Sequence, residues 1–315
     1  MKPILKTCCG IDVHKKEVVA CLLKQDEHGN YQSTICKFAT TRNELFALKE
    51  WLLSENCRQV AMESTGVYWK PLYNILEDSM EITLTNAKHM KNVPGRKTDI
   101  KDCEWIAELL CCGLLSGSFI PPKPIRELRD LLRYYRKLEG ERSREKNRVE
   151  KLLEDTGIKI SGVLSDLYGV SGRAILKSLI AGKTPDQDLL ATIIKGRAVH
   201  KLPELQEALE GDITDHHRFI LKTALEHIEY LESIMETIWQ QVEKKLEPYQ
   251  DEYQRLQTIP GVKELNAACI IAEMGTDMNA FPTSAHLASW AGLSPGNNES
   301  AGKKKVHKQP TEINT

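Results

Sequence analysis

A chain of 315 residues with 41% hydrophobic and 28% charged content can bury cores of its own, which excludes a disordered or fibrous protein and suits roughly two soluble domains. Its formal net charge of -1 excludes a uniformly basic nucleic-acid coat, so contact with phosphate has to be local. Nine cysteines, with adjacent pairs at Cys8-Cys9 and Cys111-Cys112 and no Cys-x-x-Cys spacing, argue against disulfides and zinc; MKPILKTCCG lacks the long apolar stretch of a secretory signal and no run of about eighteen apolar residues follows, so a cytoplasmic protein with no membrane partner is expected.

In chain order, CCGIDV, EVVACLLK and STICKFAT read as three strands, with a turn at His28-Gly29-Asn30. Thr41 or Asn43 is placed to cap a helix running from Glu44 to Leu53, whose apolar residues recur every three or four positions. RQVAMES is strand-like, GVYWKPLYNILED helical, and MEITLTN strand-like again. A three-stranded meander followed by alternating helices and strands is the order of a ribonuclease-H-like α/β domain. Pro121-Pro122-Lys123-Pro124 marks a boundary. Beyond it, helical periods at about 125–153 and 216–246 predict two long amphipathic helices, forming a helical hairpin or a coiled-coil dimerisation arm. The last part opens at Ile259-Pro260-Gly261-Val262, a glycine turn leading into a helix, and ends in a polar tail.

Charge is unevenly spread. Pro121 to Lys151 holds eleven Lys or Arg against six Asp or Glu, and Asn86 to Lys101 holds five against one, which marks both as candidate phosphate contacts. Four acids stand out against this background. Asp12 sits inside the first strand, where an unpaired carboxylate between apolar neighbours is costly. Glu63 ends the fourth strand. Asp99 and Asp102 begin a helix that continues through Trp105, Ile106 and Leu109, and their spacing puts both on one face of its first turn. Four carboxylates at the ends of elements that the fold brings together suit a hard divalent cation, Mg²⁺ or Mn²⁺, while Lys88, Lys91, Arg96, Lys97 and Lys101 suit the phosphate that such a cation activates. Each acid taken alone also has an ordinary explanation, as a first-turn, strand-end or surface residue. His14 is left unassigned.

GIDVHKKEVVACLL, AMESTGVYWKPLYNIL and NAKHMKNVPGRKTDIKDCEWIAELL resemble the amino-terminal domain of the DEDD-motif insertion-sequence transposases, the IS-one-ten family, a domain similar to the RuvC Holliday-junction resolvase. The resemblance assigns the motif to Asp12, Glu63, Asp99 and Asp102. FPTSAHLASWAGLSPGNNESAGKKK looks like the second domain of the same family, and that resemblance makes Ser300 the best candidate nucleophile and Ser294 the runner-up, with Lys303, Lys304 and Lys305 beside Ser300 in the sequence. IPGV with the helix after it resembles half of a helix-hairpin-helix element, in which turn amides meet a phosphate.

The implied architecture is α/β plus all-α: a RuvC-like DEDD domain at 1–120, a helical coiled-coil arm and linker at 121–255, and a small helical, partial serine transposase domain at 256–315. The implied activity is metal-dependent DNA cleavage and rejoining through a phosphoserine link, by a homo-oligomer (dimer or tetramer) guided by a structured noncoding bridge RNA that pairs with the DNA. Family members continue past the serine loop, whereas this sequence stops at Thr315, so a shortened copy is expected. Two other functions stay open: a structure-specific nuclease that uses the acids alone, and an inactive remnant that binds nucleic acid.

Overall fold

The computed structural model describes residues 3–64, 66–86, 102–183, 185–194, 196–293, 299–300 and 303–304. The chain divides into two compact units, one formed by residues 1–120 with 280–315 and the other by residues 121–279.

The first unit is built on strands β1 (Thr7–Val13), β2 (Glu17–Gln25) and β3 (Tyr31–Ala39), helix α1 (Arg42–Ser54), strand β4 (Gln59–Glu63), helix α2 (Trp69–Leu76), strand β5 (Glu81–Thr85) and helix α3 (Asp102–Cys111). This is the element order read from the sequence. The strands form one sheet in the order β3-β2-β1-β4-β5. The meander pairs antiparallel, while β4 lies parallel to β1 and β5 parallel to β4, as each helical crossover requires.

Alternation along the strands divides the sheet into two faces. Cys9, Ile11, Val13, Val60, Met62 and Leu84 face α1 and α2, where Leu45, Leu48, Leu52, Trp69, Leu72 and Leu76 complete a buried layer. Cys8 and Ala61 face the other way, onto Trp105, Ile106 and Leu109 of α3. Gly10 is what lets α3 come so near. A Cβ there would run into the Ala107 nitrogen and the Cys103 carbonyl and would stand 2.8 Å from Ala107 Cα. All nine cysteines are free. Burial pushes the thiols of Cys9, Cys57 and Cys103 up, so they serve as small apolar core residues here.

The second unit is helical. Helices α4 (Lys123–Asp155) and α9 (Asp215–Leu246) run antiparallel along one another. Between them in sequence come α5 (Ile160–Val163), α6 (Val170–Ile180), α7 (Gln187–Ile193) and α8 (Leu202–Ala208). At one end of the long pair, Leu128, Leu132 and Leu138 pack with Leu231, Met235 and Val242; at the other, Val149 and Leu153 pack with Leu221, Leu225 and Ile228 over the short helices. The hairpin is therefore the arrangement found. The apolar stripes bury one another within the chain, which removes the argument that they need a second copy as partner.

Helices α10 (Gln250–Gln257) and α11 (Glu264–Met274) flank the expected turn, where Gly261 adopts the left-handed conformation, φ 86°. Helix α12 (Ser284–Trp290) and two short paired strands, β6 (Glu299–Ser300) and β7 (Lys303–Lys304), fall with the first unit. Among the described residues no helix is long and apolar enough to cross a membrane.

Candidate active site

Parallel pairing of β1 with β4 ends at Ile11 opposite Met62, so Asp12 and Glu63 follow side by side at the carboxyl ends of neighbouring strands. Asp12 shares a face with Gly10, and Glu63 with Ala61, so both carboxylates lie on the α3 side. Helix α3 runs back along β1. The Cys8 thiol lies 3.6 Å from the Ala107 carbonyl, and the Ile4 amide donates to the Cys111 carbonyl at 2.8 Å. Its amino end, where Asp102 is the first helical residue, thus comes to the strand ends that carry Asp12 and Glu63. A helix start also favours negative charge.

The Asp12 carboxyl is pushed above the ordinary carboxylate range by burial; His14 pulls it back, and Asp102 and Glu63 push it further up. Asp12 therefore feels both of the other acids. His14, which the sequence left unassigned, is set by the β1–β2 turn, where its amide donates to the Glu17 carbonyl at 2.9 Å. Its Nε2 lies 3.0 Å from Asp12 Oδ2. Asp12 is nearer the end of its strand than the middle, so its carboxylate lies near the carboxyl end of the central strand and escapes full burial. Two buried polar atoms of this layer, Thr85 Oγ1 and Trp105 Nε1, have no hydrogen-bond partner among the described residues.

The donors are all carboxylate oxygens, and their mutual repulsion is what a divalent cation relieves, so the residues present suit a hard metal ion. Among the described residues, however, no three His, Cys, Asp or Glu side chains stand close enough together to hold one. The three acids are gathered without being drawn in to ligand distance. Asp99 lies outside the described residues, as do Lys88, Lys91, Arg96, Lys97, Lys101, Ser294 and Lys305.

For the carboxyl-terminal candidates the backbone alone is described. Ser300 pairs with Lys303 and Glu299 with Lys304 in a two-stranded antiparallel ribbon, where a loop was expected. The segment leading there is attached to the sheet unit by an aromatic cluster: ring centroids of Phe119 and Phe281 are 4.9 Å apart, those of Phe281 and Trp290 5.2 Å, and those of Phe119 and Trp290 6.0 Å.

The basic stretch from Pro121 to Lys151 is less available to phosphate than its charge suggests. Arg129 is 7% exposed and caps α11, donating to the Ala272 carbonyl at 3.0 Å and the Glu273 carbonyl at 2.7 Å. Arg133 grips the Glu273 carboxylate through two bonds of 2.9 and 3.0 Å. Arg136 binds Glu139 and Asn266, and Arg142, Arg144 and Arg148 pair with Glu232, Glu141 and Glu145.

A family model described as a DEDD transposase of the IS110 type matches residues 9–158, and a second, described as transposase IS116/IS110/IS902 family, matches residues 253–314. The chain belongs to the IS110 family of transposases. The first match begins in β1 and takes in every described element that carries an acid of the site; the second takes in α11, α12 and the Ser300 ribbon. No curated protein matches the chain. Among solved structures, the chain is similar to a fowlpox virus resolvase determined with a substrate Holliday junction, at 18% identity over 29% of this chain and 65% of the resolvase, TM-score 0.22. It therefore spans a little under two thirds of that protein's length. It is also similar to Thermus thermophilus RuvC, at 14% identity over 37% of this chain and 85% of RuvC, TM-score 0.24.

Proposed function

We propose that this IS110-family chain cuts and rejoins DNA at an insertion sequence through a covalent link between Ser300 and a DNA phosphate. The observation that carries the reading is the gathering of Asp12, Glu63 and Asp102 at the carboxyl ends of neighbouring strands, in a chain whose family models also span Ser300. With Asp99 as the fourth acid, these residues would hold Mg²⁺, or Mn²⁺ in its place. When bound, the cation draws electron density from a phosphoryl oxygen and offsets charge that builds there.

The remaining chemistry belongs to the chain. The Ser300 hydroxyl attacks the scissile phosphorus and loses its proton. A serine–phosphate bond forms as the phosphorus–oxygen bond of the strand breaks, and the departing oxygen takes up a proton. Attack by a DNA hydroxyl reverses the step, freeing Ser300 and rejoining a strand. Lys303, Lys304 and Lys305 hold the reacting phosphate, and Lys88, Lys91, Arg96, Lys97 and Lys101 track the backbone on either side. In this division of labour residues 1–120 supply the acids, 256–315 the nucleophile, and 121–255 the frame between them in sequence. The guide RNA and assembly into a dimer or tetramer rest on the family resemblance alone; base pairing would then choose the site while the protein reads shape and phosphate.

The test is a trapping assay with purified protein, its RNA, labelled element-end and target DNA, and Mg²⁺, run beside Ser300→Ala and Asp12→Ala. A protein–DNA adduct that survives denaturation and disappears in both variants is the expected result. Cleavage retained in Ser300→Ala with no adduct would replace this reading with a structure-specific nuclease. Nucleic-acid binding with neither cleavage nor adduct in the parent chain would replace it with a binding remnant.

A further inference from the structure

Thr85, the last residue of β5, is fully buried, at 0% exposed, and its Oγ1 has no hydrogen-bond partner among the described residues. The main chain beside it is well used, since the Thr85 carbonyl accepts from the Ser64 amide at 2.9 Å. Only the side-chain hydroxyl has given up water without gaining a partner, a loss that buried polar groups rarely carry. Valine would fill the same space, keep the β-branched shape that strands favour, and remove the unsatisfied atom. Folding alone therefore gives no reason for a hydroxyl here.

Its neighbours supply one. Thr85 is the cross-strand partner of Glu63, so the two side chains stand next to each other on the same face of the sheet. That is the face of Asp12 and of the start of α3. We propose that Thr85 is a positioning residue for Glu63: its hydroxyl donates to one carboxylate oxygen and so holds the group turned toward a divalent cation. This rests on the reading of the acids as a cation site. Hydrogen bonds behind a metal-binding carboxylate fix its direction, and their loss weakens binding without removing a ligand. The unsatisfied hydroxyl is then the stability cost of a site that is completed on binding.

The experiment compares the full chain with Thr85→Val, Thr85→Ser and Asp12→Ala, with Mn²⁺ as the probe followed by its electron paramagnetic resonance, and with thermal melting in chelator. Thr85→Val should melt a few degrees above the parent in chelator yet bind Mn²⁺ about 10-fold more weakly. Thr85→Ser, which restores the hydroxyl, should return the affinity toward that of the parent. A Thr85→Val protein that melts below the parent in chelator would show that the hydroxyl has a structural partner, and one that binds Mn²⁺ as tightly as the parent would show that it does not orient Glu63. Either result overturns the proposal. If Asp12→Ala leaves Mn²⁺ binding intact, the cation reading of the acids fails, and this role of Thr85 with it; loss of binding in Asp12→Ala alone confines the failure to Thr85.

Discussion

Asp12 is held by opposing influences: burial, Asp102 and Glu63 disfavour its charge, while His14 favours it, and the net effect is a raised pKa. The folded, cation-free chain thus binds this proton more tightly than the unfolded chain does. Its stability should fall as pH rises from the ordinary value of 3.8 through the raised folded value, and level off above. Asp12→Asn removes that dependence. Its gain in melting temperature over the parent in chelator should therefore grow across the same window and persist at neutral pH, while Mn²⁺ binding weakens by more than the about 10-fold that loss of an outer-shell partner costs. An asparagine variant less stable than the parent at pH 7 would count against the raised pKa. Asp12 was legible in the sequence because a carboxylate between Ile11 and Val13 needs a reason. Thr85 was not, because nothing in MEITLTN says which hydroxyl will be buried without a partner, and His14 declared its contact with Asp12 only once the β1–β2 turn was in place.

Among the elements, α3 depends on one position in β1. Gly10 leaves the backbone of Ala107 and Cys103 room to lie against the strand, and that approach brings Asp102 to Asp12. Gly10→Ala should force the helix away, costing about 1–3 kcal/mol or more, and should weaken Mn²⁺ binding although no acid has changed. Full Mn²⁺ affinity in Gly10→Ala would show that α3 tolerates the shift. The strands themselves were readable because alternation and turn residues are local signals. The basic stretch was not, because charge counts do not show that Arg129 and Arg133 are taken up by Ala272 and Glu273, more than a hundred positions later in the chain. Arg129→Met should thus cost about 1–3 kcal/mol, as leaving two buried carbonyls without their donor does while Arg133 still holds Glu273, and leave the salt dependence of nucleic-acid binding unchanged. Lys97→Ala should lower that log–log slope by about 0.9, the effect of one phosphate contact. A reduced slope in Arg129→Met would return that arginine to the nucleic-acid surface.

At the scale of the whole molecule the apolar residues form separate cores. The clusters around Ile11, Met62 and Leu72 and around Trp105 and Leu109 lie within residues 1–120, whereas those around Leu128 and Val242 and around Leu153 and Ile228 lie within 121–279. Among the described residues, no buried residue of one set belongs to a cluster of the other. Units with independent cores melt as independent cooperative transitions, and a ligand raises only the transition of the unit that binds it. Calorimetry of the chain should therefore resolve two transitions. Leu128→Ala, which opens a cavity between the long helices, should lower one of them by about 2–5 kcal/mol, and Mn²⁺ should raise the other by the same amount in the variant as in the parent. A single transition that both Leu128→Ala and Mn²⁺ move would mean that the two sets of cores unfold as one cooperative body and would overturn their independence.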